Sequence, residues 1–149
     1  MLFRSGGVQR CVVVCGAEKL DEVSCAGETH AWELKDGQIT QKTLHPSQFG
    51  LQVHSLTDVA GGTPEENAET FKTLLTSGDN IPKSLTPILH FVLMNAAVLL
   101  FVAGIASDLK DGVRLAMESI TSGKAWSALE QFRESGKVVD VDAAQQGSV

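Results

Sequence analysis

The fold is decided by the stretch Cys11-Val12-Val13-Val14-Cys15-Gly16 and by the acidic loop that follows it, Leu20-Asp21-Glu22-Val23-Ser24. A run of β-branched and other apolar residues that ends at a glycine is typical of a strand buried on both faces, as in a parallel sheet covered by helices. Asp21 and Glu22 then lie in the loop after this strand, which is where ligands collect in open α/β sheets. We therefore expect an α/β fold with a candidate site in this loop.

The next segment predicts a β-hairpin. Residues 29–34 and 39–44 flank Lys35-Asp36-Gly37-Gln38, in which the Asp-Gly pair supplies the positive φ angles of a tight turn. Residues 51–54 are expected to add a short extended piece in the loop-rich connection that follows.

The second half of the chain changes to helical spacing. Thr63-Pro64-Glu65-Glu66 predicts a helix start, with Thr63 as the cap and Glu66 reaching back to it. The preceding pair Gly61-Gly62 leads into this helix, whose backbone N–H groups could receive an anion such as phosphate. We favour a tight turn and a cap, because two glutamates already bring negative charge to the first turn.

Three more helical segments follow. An apolar helix is predicted over residues 87–106, the next is capped by Ser107 and ends at Gly123, and a last amphipathic turn or two reaches Phe132. The predicted fold is thus a set of short strands with a hairpin, followed by a C-terminal helical cluster.

The apolar segment also raises the question of a membrane. Residues 88–106 would reach roughly 28 Å as a helix, which could span a bilayer. However, His90 and Asn95 lie inside the segment, and neither a basic cluster nor an aromatic belt flanks it. We therefore expect a buried core helix and no membrane.

Composition excludes several functional classes. With 149 residues and 43% apolar content the chain can build one compact core. The net charge of −6 comes without a lysine-arginine run, so nucleic acid is a poor partner. Three cysteines without a secretory signal are typical of reduced thiols, so we expect a cytoplasmic protein.

Asp21 and Glu22 are the candidate metal ligands. Mg²⁺ is usually held by one or two carboxylates together with substrate phosphates, and adjacent acids in a loop provide such oxygen donors. Spacing alone is not specific, since most acidic pairs in loops are merely solvated.

A zinc site is not expected, because Cys11, Cys15 and Cys25 form no Cys-x-x-Cys pair. No histidine is spaced to activate a thiol.

A series of segments in one order, from Val12 to Lys124, resembles the anthranilate phosphoribosyltransferase family. The similar segments are Val12–Gly16 with Leu20–Ser24, residues 29–34 with Asp36-Gly37, Pro46-Ser47-Gln48-Phe49-Gly50-Leu51, Gly61-Gly62 with Glu66-Asn67-Ala68, Leu93-Met94-Asn95-Ala96-Ala97, Ala103-Gly104, Gly112-Val113 and Ser122-Gly123-Lys124-Ala125. Cys15 departs from the histidine that many relatives carry there.

The resemblance implies a function. The family transfers a phosphoribosyl group from phosphoribosyl pyrophosphate to anthranilate in tryptophan biosynthesis, and its Asp-Glu pair, here Asp21 and Glu22, binds Mg²⁺. It also allows a homodimer. It points to no catalytic base in these residues, because the amine of anthranilate is already a neutral nucleophile.

Part of the family pattern is missing. The glycine-rich Gly-Thr-Gly-Gly-Asp loop, the Lys-His-Gly-Asn segment and the helical domain beside the anthranilate tunnel do not occur in these residues. We therefore expect residues 1–136 to form an incomplete α/β catalytic domain, the C-terminal portion of a glycosyl transferase family 3 type domain that is inactive alone. Residues 137–149 are expected to form a frayed tail.

Two alternatives remain. The chain could be a non-catalytic scaffold or interaction remnant of the same fold, which exposed apolar surface would support. It could also be a ribosyl transferase similar to pyrimidine nucleoside phosphorylases, which share the architecture. The order of segments from Leu20 to Ala125 argues against the second alternative.

Overall fold

The computed structural model describes residues 7–146, with side chains described up to residue 137. Its regular elements are β1 (Arg10–Gly16), β2 (Thr29–Lys35), β3 (Gln38–Leu44), α1 (Pro64–Thr76), α2 (Thr86–Val102), α3 (Leu109–Thr121) and α4 (Lys124–Gln146). Short 3-10 helices occur at Pro46–Phe49, Leu56–Val59 and Lys83–Leu85. The predicted α/β class, with short strands, a hairpin and a C-terminal helical cluster, is confirmed.

The three strands form one antiparallel sheet in the order β1-β2-β3. In the hairpin of β2 and β3, Trp32 pairs with Gln41, and the turn residues Asp36 and Gly37 have φ angles of 50° and 73°. Two successive positive φ angles match the twist of the flanking strands, which is why Asp-Gly is favoured there. The hairpin prediction is confirmed, whereas residues 51–54 form no strand.

The pairing of β1 differs from the prediction. This strand pairs antiparallel with β2, with Val13 opposite Trp32, and the side chain of Val13 is 45% exposed. It is therefore neither in a parallel pair nor fully covered within the described residues. A run of apolar β-branched residues indicates a tendency to be buried, but it carries no information about the direction of the neighbouring strand.

The first helix begins as its sequence predicts. Thr63 accepts a hydrogen bond from the N–H of Glu66, and the Glu66 carboxylate accepts one from the N–H of Thr63 at 2.8 Å. This reciprocal pair satisfies two of the N–H groups that a helix start leaves without partners.

The helix boundaries around residue 105 differ from the prediction. Helix α2 ends at Val102 instead of Ala106, because Gly104 has a φ of 73° and the N–H groups of Ile105 and Ala106 turn back to the carbonyl of Leu100. The cap of α3 is Asp108 and not Ser107, since the Asp108 side chain accepts the N–H of Asp111.

Helix α2 is the central element of the fold. One of its faces contributes Met94, Ala97 and Val98 to a core cluster under the acidic loop, and another contributes Leu89 and Leu93 to a cluster with α1 and α3. Lys83–Val102 is long and apolar enough to cross a membrane, and 22% of this segment is buried. Core helices of soluble proteins meet the same criterion.

The last helix is longer than predicted. Helix α4 continues to Gln146, ten residues beyond Gly136. The expected tail, residues 137–149, lies almost wholly outside the residues whose side chains are described, so it stays a prediction, as does the domain boundary at residue 136.

Candidate metal site

The acidic loop begins directly at the end of β1. The N–H of Gly16 donates to the carbonyl of Leu20 at 2.7 Å, and the N–H of Lys19 donates back to the carbonyl of Gly16 at 2.9 Å. This tight turn brings the chain to Asp21 and Glu22, and both of these residues are exposed. The two predicted metal ligands therefore project from the end of the strand into solvent.

The residues after the acids are buried. Val23, Ser24 and Cys25 are at most 2% exposed. The N–H of Ser24 donates to Oγ1 of Thr29 at 2.9 Å, and Oγ of Ser24 accepts the N–H of Ala26 at 3.0 Å. The exposed acids are thus attached to a segment that is fixed in the protein interior.

Asn95 on α2 connects the central helix to this segment. Its Oδ1 accepts the N–H of Val23 at 3.0 Å, while its Nδ2 donates to the carbonyl oxygens of Val23 at 3.2 Å and Phe91 at 3.0 Å. These bonds join Asn95 to the backbone, and nothing in the sequence spacing indicated that its partner would be the residue next to Glu22.

The surroundings of the two acids suit a hard cation. Among residues 7–137, whose side chains are described, no lysine or arginine nitrogen lies within 4 Å of either carboxylate. The described residues hold no group of three or more histidine, cysteine or acidic side chains that could hold a metal ion by itself, so a cation at these two acids would need further ligands from substrate or water. Two carboxylates with open coordination positions are the donor set that Mg²⁺ uses when substrate phosphates complete its shell. The oxygen donors of Asp21 and Glu22 are thus of the type that Mg²⁺ prefers.

A histidine pair that the spacing did not predict lies behind the loop. Nε2 of His54 is 2.8 Å from Nδ1 of His90, and the N–H of His54 donates to the carbonyl of Cys25 at 2.9 Å. Burial, together with the neighbouring His54, lowers the pKa of His90. Burial raises the pKa of the Cys25 thiol, which disfavours the thiolate needed for nucleophilic chemistry.

At the alternative anion site Gly61-Gly62, two of the backbone N–H groups already donate to side chains. The N–H of Gly62 donates to Oδ1 of Asn67 at 2.8 Å, and that of Thr63 donates to Glu66. The turn-and-cap interpretation accounts for these bonds.

A cleft of about 370 Å³ separates the sheet from α2 and α3. Glu33 lies in it, 6% exposed, and forms ion pairs with Arg10 at 3.2 Å and with Lys42. The Lys42 hydrogen bond is the main cause that lowers the pKa of Glu33. Neither Asp21 nor Glu22 lines this cleft.

Comparison with known proteins identifies the family. The model of the glycosyl transferase family, a/b domain, matches residues 2–126. The chain belongs to this family. The match covers the acidic loop and the helices from α1 to α3, so the sequence resemblance from Val12 to Lys124 is confirmed.

Several relatives carry one enzyme name. The anthranilate phosphoribosyltransferase of Schizosaccharomyces pombe is 48% identical over 126 residues, which are 85% of this chain and 35% of that protein. The Saccharomyces cerevisiae enzyme in complex with PRPP and Mg superposes with a TM-score of 0.77 at 37% identity, over 86% of this chain and 35% of the other. The Thermus thermophilus enzyme gives 0.69 at 34% identity, over 83% and 34%.

The chain therefore spans about a third of the length of these relatives, and it matches a C-terminal part of the enzyme. The fold is that of the family, and the matched residues include the loop that carries the acids.

Proposed function

We propose that this chain is the C-terminal portion of an anthranilate phosphoribosyltransferase and that Asp21 and Glu22 hold its Mg²⁺. The observation that carries the proposal is the acidic pair itself, which is exposed, has no lysine or arginine within 4 Å among the described residues, and follows a buried strand end. A relative of the same fold is known in complex with PRPP and Mg.

The acids would act by electrostatics. When bound, Mg²⁺ stabilises the negative charge that gathers on departing pyrophosphate. Asp21 and Glu22 supply the oxygen ligands, and their own negative field favours the cation-like ribose carbon of the transition state. The neutral anthranilate amine can attack without prior deprotonation, and the proton that its nitrogen loses after attack can pass to water or to the departing pyrophosphate. We therefore assign no base in this segment.

The rest of the reaction needs groups from other residues. The glycine-rich phosphate loop of the family does not occur in the 149 residues, and neither does the helical wall of the anthranilate tunnel. We therefore propose that these residues by themselves are inactive and that phosphoribosyl pyrophosphate and anthranilate bind only in the complete cytoplasmic enzyme, which could be a homodimer.

A chimera tests this proposal. The 126 matched residues of the Schizosaccharomyces pombe enzyme are replaced by the corresponding residues of this chain, and phosphoribosyl transfer is measured as loss of anthranilate. We expect transfer by the chimera and none by the isolated chain. Asp21→Asn/Glu22→Gln in the chimera should lower the rate by about 100-fold or more, the scale on which single charge-stabilising groups act.

The control for the chimera is Asp79→Asn, which removes an exposed carboxylate outside the loop. Its rate should equal that of the unmodified chimera. Full transfer by the double variant would refute the role of Asp21 and Glu22, and transfer by the isolated chain would refute its inactivity.

An exposed apolar face favours a second candidate function, a scaffold for another polypeptide. Leu99 and Ile105 are 72% and 64% exposed, and they border a groove of about 520 Å³ between α2, α3 and α4. Large apolar patches on a protein surface commonly mark interfaces. If Asp21→Asn/Glu22→Gln still bound another polypeptide at this face, the result would support a scaffold function that needs no metal site.

A further inference from the structure

The side-chain carboxamide of Asn95 forms its hydrogen bonds with backbone groups. Both N–H groups of its carboxamide are donated, one to the carbonyl of Val23 and one to that of Phe91, and its oxygen accepts the N–H of Val23. The orientation of the amide is fixed by these partners, since an exchange of its nitrogen and oxygen would place donor against donor at Val23. Asn95 therefore does not offer its N–H groups to a ligand.

The residue that Asn95 holds is adjacent to Glu22. Val23 is 2% exposed, whereas Glu22 is exposed, so the chain passes from the interior to solvent within one peptide unit. The other bonds of this segment hold Ser24 and Cys25, through Thr29 and the N–H of His54. Among the described residues, Asn95 is thus the side chain whose bonds lie nearest to the acids along the chain.

The anchor of Asn95 is rigid. The helix α2 around it packs Leu93, Met94 and Ala97 into the two core clusters, and all three are buried. Side chains that orient metal ligands act by fixing their direction before the ion arrives, and their removal typically weakens metal binding by about 10- to 100-fold.

We propose that Asn95 is a positioning residue of the metal site. By holding both backbone groups of Val23 against α2, it fixes the direction in which Glu22 and Asp21 leave the protein interior. The inference rests on the proposed function, because it assumes that these acids bind a divalent cation.

The test uses Mn²⁺ as a paramagnetic probe of the full 149-residue chain. In ¹H–¹⁵N spectra, Mn²⁺ should broaden the amide signals of residues 20–24 first, and titration gives an apparent affinity. Asn95→Leu keeps the number and branching of the side-chain heavy atoms but removes the hydrogen bonds, and we expect it to weaken this affinity by about 10- to 100-fold.

The matched control is Asn67→Leu. Asn67 also holds both backbone groups of one residue, Gly62, at 2.8 and 3.2 Å, but in the loop before α1. This variant should lose thermal stability in a comparable way and keep the Mn²⁺ affinity of the unmodified chain. A purely structural role of Asn95 would make the two variants behave alike.

A second measurement uses only the unmodified chain, so it does not depend on whether a variant folds. In the unmodified chain, the side-chain amide signal of Asn95 should shift with the Glu22 amide during Mg²⁺ titration and saturate at the same concentration. Unchanged Mn²⁺ affinity in Asn95→Leu, or a silent Asn95 signal, would overturn this inference alone. If Mn²⁺ produced no local broadening at residues 20–24, the metal site itself would be refuted and the inference with it.

Discussion

Gly112 on α3 packs directly against Ala97 on α2. A Cβ atom on Gly112 would lie 2.9 Å from the Cα, the Cβ and the carbonyl oxygen of Ala97, which is closer than real Cβ contacts allow. We expect Gly112→Ala to lower the free energy of unfolding by about 1–3 kcal/mol, because the two helices must move apart. Urea denaturation measures this change.

The control is the same substitution in a helix with open space. A Cβ on Gly136 in α4 would meet no atom within 4 Å. Gly136→Ala should therefore raise the stability by up to about 1 kcal/mol, since alanine is the better helix former. If Gly112→Ala and Gly136→Ala changed the stability equally, the close packing of α2 and α3 would not be the cause of the stability change in Gly112→Ala.

The sequence predicted features that depend on local chemistry. The Asp36-Gly37 turn and the Thr63 cap involve neighbours in the chain, so their residue types suffice to predict them. The antiparallel pairing of β1, the His54–His90 pair and the bonds between Asn95 and Val23 join residues far apart in sequence. Such contacts depend on packing, and no local spacing encodes them.

For the candidate site, too, some features were predictable from the sequence and others were found only in the structure. The resemblance to the family pointed to Asp21 and Glu22, and the structure adds how their loop is held. The early end of α2 was missed because Gly104 lies inside an apolar run, where the periodicity of the side chains hides a backbone reversal.

Glu33 should make stability depend on acidic pH. Its pKa is lowered in the folded protein, chiefly by the hydrogen bond with Lys42, so its contribution is present above about pH 4.5 and is lost as the pH falls through the folded value. We expect Glu33→Gln to cost about 1–3 kcal/mol at pH 7, because two cations lose their partner.

The pH series provides the check for Glu33. The difference between Glu33→Gln and the unmodified chain should shrink as the pH falls below about 4.5, because the carboxyl is protonated first in the unfolded chain and, at a lower pH, in the folded protein. Glu69→Gln, an exposed control on α1, should change stability by less than about 0.5 kcal/mol at any pH. A constant difference from pH 7 to pH 3 would contradict this account.

His90 should make stability fall below about pH 6.5. Burial and the neighbouring His54 lower its pKa, so folding favours the neutral ring, and the stabilisation is lost as the pH drops through the folded value. Thermal melts between pH 8 and pH 5 should show a slope of up to about 1.4 kcal/mol per pH unit from this group. His90→Gln should flatten the curve.

The exposed apolar face at the C-terminal end of α2 and in the turn after it should make the isolated chain associate. Leu99 and Ile105 are largely exposed, and water-exposed apolar patches favour association. Light scattering should show oligomers of the unmodified chain and a shift to monomer in Leu99→Lys/Ile105→Lys. Ile39→Lys, which changes an exposed residue on β3, should still form oligomers. A monomeric unmodified chain would contradict this prediction.

The most direct measurement for the whole account is electron paramagnetic resonance of Mn²⁺ titrated into the purified chain, with Mg²⁺ as competitor. We expect one Mn²⁺ site that Mg²⁺ displaces and that disappears in Asp21→Asn/Glu22→Gln. Equal Mn²⁺ binding by the double variant and the unmodified chain would contradict it.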